Sequence, residues 1–161
     1  MKEEWWSSEL QDDVRIQWLV NLESKEVAAV RMIYDDVGCI SKLPAGYYKK
    51  MEARGIKCTA FNPFRPIMSI IMNNRDHRKI LVVDGKTAFT GGINIADEYI
   101  NVTTRFGYWK DTGVRIEGKA VWNFTAMFLQ MWNFANHSTE NYLAYKPQIN
   151  WKKHYESDGY V

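Results

Sequence analysis

The sequence predicts an α/β fold in which helices flank a mixed β-sheet. Short β-rich segments alternate along the chain with segments whose apolar residues recur at helical spacing, which favours a partly parallel sheet. The composition is that of a globular domain, since 46% of the 161 residues are hydrophobic and 25% are charged. A chain of this length forms one core, and two complete domains are not expected.

The first part of the chain is predicted to run helix, strand, helix, strand. Between residues 5 and 30, apolar residues recur every four positions, which predicts one amphipathic helix or two short ones. The recurring residues are Leu10, Val14, Trp18 and Leu22. The elements predicted next are a buried strand at 30–34, a turn at 44–46, a short helix at 47–54 that ends at Gly55, a strand at 56–61 and a loop at 62–66.

The second part of the chain is predicted to contain a β-hairpin, two helices and a further strand. Asp84-Gly85-Lys86 separates two β-rich segments, and Asp-Gly in this position is typical of a tight hairpin turn. The apolar run at 67–72 predicts a short element covered by the core, with a lipid-facing lip as the alternative. The remaining predicted elements are strands at 80–83, 87–90 and 112–116, a short helix at 93–99 and a well-buried helix at 119–136.

Charge and the rarer residue types exclude several classes of function. The chain carries 21 basic and 19 acidic residues, and the net charge of +2 is too weak to indicate a nucleic-acid partner. It has no run of about 18 apolar residues, so we expect a soluble piece with no transmembrane segment. Three histidines are too few for a histidine-based metal site, and no cofactor is expected. Cys39 and Cys58 are interpreted as two small apolar side chains in a reducing compartment.

The residues that suggest chemistry lie between His77 and Asn94. His77 and Lys79 are two residues apart, so on an extended segment they share one face. Lysine supplies a point charge to phosphate oxygens, and neutral histidine supplies a nucleophilic nitrogen, which together suit an anion that is both held and attacked. Gly91 and Gly92 allow close backbone approach, and Asn94 can donate its side-chain amide to an oxyanion. For the His-Lys pair alone, a solvated cluster at a sheet edge is the alternative.

The complete pattern is more specific than the pair. It reads His77-x-Lys79, four residues, Asp84, six residues, then Gly-Gly-x-Asn, and it resembles the signature of the phospholipase D superfamily. Roughly residues 30 to 134 resemble the bacterial cardiolipin synthases in particular, and residues 157–161 resemble the linker into that family's second half. The segments that carry this resemblance are 30–38, 61–66, 73–79, 89–99 and 108–112.

The resemblance implies a metal-free, two-step phosphatidyl transfer between two phosphatidylglycerol molecules that gives cardiolipin and glycerol. In that scheme His77 forms a phosphohistidine, while Lys79, Gly92 and Asn94 hold the phosphate oxygens. Asp84 completes the catalytic motif, and we expect it to give structural support more than direct chemistry.

Asp111 is a further candidate for the site. It follows His77 by 34 residues, near where the family places a carboxylate that bonds an active-site imidazole and fixes its tautomer. An aspartate that caps a turn is the alternative interpretation.

Members of this family carry two such motifs, and this chain has one. Residues 1–136 are therefore predicted to be a phospholipase D-like catalytic half-domain, the first of two, and residues 137–161 a linker toward a missing second half. The implied partners are a phospholipid, a second catalytic half or a homodimer mate, and a membrane surface reached through other segments of a parent enzyme in the bacterial cell membrane. Two alternatives remain: a phospholipase D or nuclease-type phosphodiesterase acting as a homodimer, and a catalytically silent half-domain.

Overall fold

The computed structural model describes residues 16–21, 29–39, 43–63, 75–105 and 107–149. They form one six-stranded β-sheet with the strand order β3-β2-β1-β4-β5-β6. The pairs β2–β3 and β1–β4 are parallel, and the other three pairs are antiparallel. The strands are β1 (Ile16–Asn21), β2 (Ala29–Asp35), β3 (Lys57–Phe61), β4 (Ile80–Val83), β5 (Thr87–Gly91) and β6 (Gly113–Glu117). The mixed sheet confirms the predicted α/β class.

Within the described ranges, three α-helices and two short 3₁₀ helices accompany the sheet. The α-helices are α1 (Asp36–Cys39), α2 (Tyr47–Glu52) and α3 (Val121–Asn136), and the 3₁₀ helices are Asp97–Ile100 and Tyr142–Tyr145. Helices α2 and α3 confirm the predictions at 47–54 and 119–136. The chain leaves α2 through Gly55 at φ 81°, a left-handed conformation that glycine adopts without strain. The helix predicted at 93–99 is the shorter 3₁₀ helix.

The predicted helix at residues 5–30 is wrong where the structure describes this region, because residues 16–21 form β1. A spacing of four residues is close to one helical turn and is also two full periods of a strand, so the pattern does not distinguish them. Strand β1 lies between β2 and β4. Hydrogen bonding to the neighbouring β2 and to β4, which is distant in sequence, therefore decides the outcome, and periodicity does not report it. Residues 5–15 and 22–28 lie outside the described residues.

The two faces of the sheet carry separate apolar clusters. On one face, side chains of the strands pack against α3 in a cluster of Ile33, Phe61, Ile80, Val82, Ala88, Val121, Phe128, Leu129 and Trp132. On the other face, β2 and β3 pack against α1 and α2 in a cluster of Met32, Tyr34, Cys39, Tyr47, Met51 and Cys58. This two-faced burial explains why β2 is continuously buried from residue 31 to 35 and not alternating.

Both cysteines are buried thiols in this second cluster, as predicted. Burial, with a smaller contribution from Glu52, raises the pKa of Cys58 to about 12, so the thiol stays protonated at neutral pH. No helix within the described ranges is both long and apolar enough to cross a bilayer. The apolar run at 67–72 lies outside these ranges.

The predicted hairpin between β4 and β5 is confirmed. The Lys86 N–H donates to the Val83 carbonyl at 2.9 Å, and the two residues inside this turn, Asp84 and Gly85, have φ of 54° and 65°, the left-handed values of a type I′ turn. The strands pair in the register Val83 with Thr87 and Ile80 with Thr90. This tight turn places Gly91, at the end of β5, beside the start of β4.

The strand directions place the ends of β2, β3 and β5 and the starts of β4 and β6 at the same end of the sheet. Pairing across β1 aligns the start of β4 with the end of β2, and β3 ends alongside β2. Strand β5 ends and β6 begins at this same edge, since Gly91 pairs with Gly113. We call this end of the sheet the site edge. The β4–β5 hairpin turn lies at the opposite end of the strands. The site edge therefore receives residues 75–79, residues 92–94 and residues 110–112.

The chain after α3 returns to the sheet instead of leaving it. Tyr142 and Tyr145 pack against the core, and the Tyr145 hydroxyl donates to Glu140 and is 2.6 Å from the guanidinium of Arg31. Arg31 also lies over the ring of Trp132, 5.7 Å from its centroid. Residues 142–145 are therefore packed, because aromatic residues spaced through a polar stretch find partners on β2 and α3. The assignment of residues 137–161 to a linker between halves stays a prediction.

Candidate active site

His77 and Lys79 lie together at the site edge, just before β4. The Lys79 ammonium is 3.0 Å from Nδ1 and 2.9 Å from Nε2 of the His77 ring, and it donates to the His77 carbonyl oxygen at 2.9 Å. The His77 side chain is exposed, and Lys79 is half-buried. One nitrogen of a neutral imidazole can accept from an ammonium, so this geometry sets a nitrogen able to act as a nucleophile beside a cation at one exposed point. The predicted pairing of these two side chains is confirmed.

Two aspartates hold the segment that carries His77. Asp35, at the end of β2, has a side chain only 1% exposed, and it accepts hydrogen bonds from the backbone N–H of Gly38 and of Asp76 at 2.8 and 3.3 Å. The guanidinium of Arg75 lies 3.6 Å from Asp35 and donates to the Asn62 carbonyl at 2.9 Å. The segment before His77 is thereby tied to the ends of β2 and β3.

Asp76 and Arg78 fix the segment on the side of α3. Arg78 donates to the Asp76 carboxylate from its side chain at 2.6–3.2 Å and from its backbone N–H at 3.0 Å, and this hydrogen bonding raises the pKa of Arg78. The Arg78 guanidinium also reaches the Met127 sulfur of α3 at 3.4 Å. Because side chains alternate along an extended segment, His77 and Lys79 are directed away from α3.

Gly92 lies against the carboxylate of Asp111. A Cβ atom on Gly92 would be 2.7 and 2.9 Å from the two carboxylate oxygens, closer than real side chains approach. The carboxylate accepts hydrogen bonds from the Thr112 N–H at 2.6 Å and from the Trp109 indole N–H at 3.4 Å. The predicted phosphate-binding glycine and the predicted carboxylate are thus neighbours at the site edge.

Asn94 is buried, with 5% of its surface exposed, and its amide nitrogen is 3.0 Å from the Tyr99 hydroxyl. The Tyr99 ring meets the Trp109 ring edge to face, with centroids 4.7 Å apart. Trp109 is held in turn by Asn101, whose side chain accepts from the Trp109 N–H at 2.6 Å and donates to its carbonyl at 2.9 Å. A continuous set of contacts therefore runs from Asn94 through two aromatic rings to Asp111.

Asp84 is not brought to this edge. It lies in the hairpin turn at the opposite end of β4, and at about 3.3 Å per residue the seven-residue separation from His77 spans roughly 23 Å. A groove of about 610 Å³ also lies near that turn, lined by Leu143, Lys146, Pro147, Gln148 and Ile149. The structural-support role expected of Asp84 stays a prediction.

Sequence reasoning missed the residues that hold the site together. Asp35 and Asp76 lie in segments 30–38 and 73–79, which carry the family resemblance, but neither periodicity nor motif spacing predicts their anchoring role. Tyr99 and Trp109 lie in segments 89–99 and 108–112, which carry the family resemblance, but no spacing rule gives either residue a role. Within the described ranges no three His, Cys, Asp or Glu side chains are grouped closely enough to hold a metal ion.

Comparison with known proteins identifies a family for most of the chain. A family model described as "Cardiolipin synthase, PLD-like domain" matches residues 7–132. The chain is 41% identical over 138 residues to a cardiolipin synthase 2 of Staphylococcus epidermidis, covering 84% of this chain and 28% of that protein. It is 40% identical over 114 residues to a cardiolipin synthase of Oceanobacillus iheyensis, covering 71% and 24%.

A Streptococcus mutans protein described as uncharacterized is 54% identical over 121 residues, covering 74% of this chain and 26% of that protein. The chain therefore spans about a quarter of the length of the curated relatives that it matches. No solved structure matches it significantly.

Proposed function

The chain belongs to the family of cardiolipin synthase phospholipase D-like domains, and from that premise we propose that it forms one half of the active site of a phosphatidyltransferase. The proposed reaction converts two phosphatidylglycerol molecules into cardiolipin and glycerol. The single observation that carries the proposal is the contact between the Lys79 ammonium and both ring nitrogens of the exposed His77.

In the first proposed step, a neutral nitrogen of His77 attacks the phosphorus of one phosphatidylglycerol. A nitrogen–phosphorus bond forms and the bond from phosphorus to the headgroup glycerol oxygen breaks. Glycerol leaves as the alcohol after taking one proton from an acid, which the family resemblance assigns to a histidine of the second half. The electron pair of the broken bond stays on the glycerol oxygen, and the phosphatidyl group remains on His77.

In the second proposed step, a headgroup hydroxyl of another phosphatidylglycerol attacks the same phosphorus. The new oxygen–phosphorus bond forms, the nitrogen–phosphorus bond breaks, and the hydroxyl proton passes to the group that had protonated glycerol. His77 is restored as a neutral ring. Water could take the place of this hydroxyl, and the enzyme would then be a phospholipase D.

Lys79 is proposed to stabilise negative charge on the phosphate oxygens in both steps. Its ammonium is already within 3.0 Å of the attacking ring, so a phosphate that reaches His77 also reaches Lys79. Lysine acts here as a point charge with three donors, and charge stabilisation at a developing oxyanion is commonly the largest single contribution to catalysis. Gly92 and Asn94 are proposed to receive the same phosphate from the β5 side.

A second half, from the parent chain or a homodimer mate, is proposed to cover the site edge. Large apolar side chains are exposed there, after β5 and before β6. They are Ile93, Ile100, Val102 and Tyr108, with 43%, 44%, 67% and 85% of their surface exposed. Such residues are enriched at protein interfaces and are costly to leave in water.

The test is product analysis with the full-length protein that carries this chain, using vesicles of phosphatidylglycerol. Cardiolipin and glycerol released in equal amounts would support the proposal. Phosphatidic acid in place of cardiolipin would establish the hydrolase, and no turnover would establish the silent half-domain. His77→Ala should stop product formation, whereas the matched variant His137→Asn, at an exposed left-handed position after α3, should not.

A further inference from the structure

We propose that Tyr99 is a positioning residue for the phosphate site. Its hydroxyl orients the side-chain carboxamide of Asn94 so that the amide nitrogen is delivered to a bound phosphate group. The inference rests on the proposed function, because it takes the site edge as the place where phosphate binds. It adds a residue that the sequence pattern did not select.

The first observation is an unsatisfied atom in Asn94. With the amide nitrogen facing Tyr99, the carbonyl oxygen Oδ1 is buried and accepts no hydrogen bond from any residue within the described ranges. A buried carbonyl oxygen without a hydrogen-bond donor is costly, so this orientation of the Asn94 side chain, which is 95% buried, is unfavourable.

Rotation of the carboxamide by half a turn satisfies the carbonyl oxygen and moves the unmet hydrogen-bonding need to the NH₂ group. Tyr99 then donates its hydroxyl hydrogen to Oδ1 across the same 3.0 Å separation, and Oδ1 is satisfied. The NH₂ group takes the place that Oδ1 had. It holds two hydrogens that need an acceptor, and a phosphate oxygen is such an acceptor. The hydroxyl of Tyr99 thus determines which end of Asn94 faces the ligand.

The second observation is that Tyr99 is itself held firmly. Its ring packs edge to face on Trp109, and Trp109 is bonded at both its N–H and its carbonyl by Asn101. The indole N–H of Trp109 reaches Asp111, which lies against Gly92. The hydroxyl of Tyr99 is therefore fixed relative to the backbone that approaches the phosphate.

The position of Asn94 just after β5 brings its segment toward Lys79. Asn94 follows Gly91 by three residues, and continuing the β4–β5 register by one residue would set Lys79 opposite Gly91. A phosphate held by the Lys79 ammonium would then be flanked by the segment that carries Asn94. The two donors would approach the same anion from neighbouring strands.

The experiment is a titration of the 161-residue chain with inorganic phosphate, followed by NMR of side-chain amides in protein labelled with ¹⁵N-asparagine. In the wild type, the Asn94 NH₂ signals should shift with phosphate. Tyr99→Phe, which keeps the ring and removes the hydroxyl, should weaken phosphate affinity by about fivefold to tenfold, the effect of one hydrogen bond. Tyr48→Phe is the matched control, and it should change nothing because Tyr48 is an exposed residue of α2 that has no part in the site.

A double substitution separates positioning from a general structural role. In the Asn94→Ala background, Tyr99→Phe should have no further effect on phosphate affinity, because the residue that it positions is gone. An additive effect would overturn the inference, as would unchanged affinity in Tyr99→Phe or a wild type whose Asn94 signals do not respond to phosphate. Phosphate binding through Asn94 in a protein whose His77 never becomes phosphatidylated would contradict the proposed function and leave this inference standing.

Discussion

Replacing Gly92 with alanine should displace Asp111 and destabilise the fold at the site edge. The added Cβ would lie 2.7 Å from Oδ2 and 2.9 Å from Oδ1 of Asp111. The carboxylate must therefore rotate away. In doing so it gives up the hydrogen bonds from the Thr112 N–H at 2.6 Å and the Trp109 indole N–H at 3.4 Å.

The size of the effect follows from these two hydrogen bonds. A hydrogen bond to a charged group contributes about 1.5–3 kcal/mol, but Asp111 is exposed and the bond from Trp109 is long, so we take about 1–2 kcal/mol for both together. Alanine in place of glycine restricts the unfolded chain and returns about 0.4–1 kcal/mol. The expected net destabilisation by Gly92→Ala is therefore about 1 kcal/mol.

The assay is urea unfolding of the wild type, of Gly92→Ala, Gly113→Ala and Asp111→Ala, and of the double variant at 92 and 111. The urea midpoints are compared where the slope of the unfolding free energy against urea is the same. Gly113→Ala is the matched control, because the nearest atom to its added Cβ is 3.8 Å away, and it should be neutral or slightly stabilising. Asp111→Ala should remove the clash, so Gly92→Ala should cost nothing in that background. Equal destabilisation by Gly92→Ala with and without Asp111 would refute the reasoning.

Three further predictions concern Asp111, the Glu140–Tyr145 contact and the exposed apolar side chains at the site edge. In the full-length enzyme, Asp111→Asn should lower transfer less than His77→Ala does, since it removes a supporting group and not the nucleophile; equal losses in steady-state assays would contradict this. Burial raises the pKa of Glu140, but the Tyr145 hydroxyl and the Arg31 charge outweigh burial, so the pKa in the folded protein is lowered. Glu140 therefore stabilises the fold above its unfolded pKa near 4.5, and this stability is lost as the pH falls through the folded pKa. Urea unfolding of Glu140→Gln between pH 7 and 3.5 should therefore show a weaker acid dependence than the wild type, and an identical dependence would count against the coupling. Light scattering should show self-association that rises with concentration and is weakened by Val102→Ser, whereas a strict monomer at all concentrations would contradict an interface at the site edge.

Local rules predicted the parts of this protein that depend on neighbours in sequence. The Asp84-Gly85 dipeptide fixed the hairpin because a type I′ turn needs two left-handed residues in succession. The His77–Lys79 contact was predictable from the geometry of extended chain, since residues two apart share a face. Both features are set within a span of about ten residues.

Long-range pairing accounts for what the sequence did not show. Residues 16–21 are a strand because β2 and β4 flank them, and a four-residue apolar spacing suits either a helix or a strand. Tyr145 packs on Arg31 across 114 residues of sequence. The contacts of Asp35 with the Asp76 N–H and of Tyr99 with Asn94 are likewise side-chain hydrogen bonds that no periodicity or motif spacing records.

The most direct test of the proposed mechanism is to trap the phosphatidyl group on the protein. Full-length enzyme is mixed with phosphatidylglycerol labelled in its phosphate, quenched in alkaline detergent within one turnover, and digested for mass spectrometry. We predict that the label is on the peptide containing His77 and is absent from His77→Ala, with the thermal unfolding midpoint nearly unchanged because the His77 side chain is exposed. A His77→Ala enzyme that still becomes labelled and still makes cardiolipin would contradict the account at its centre.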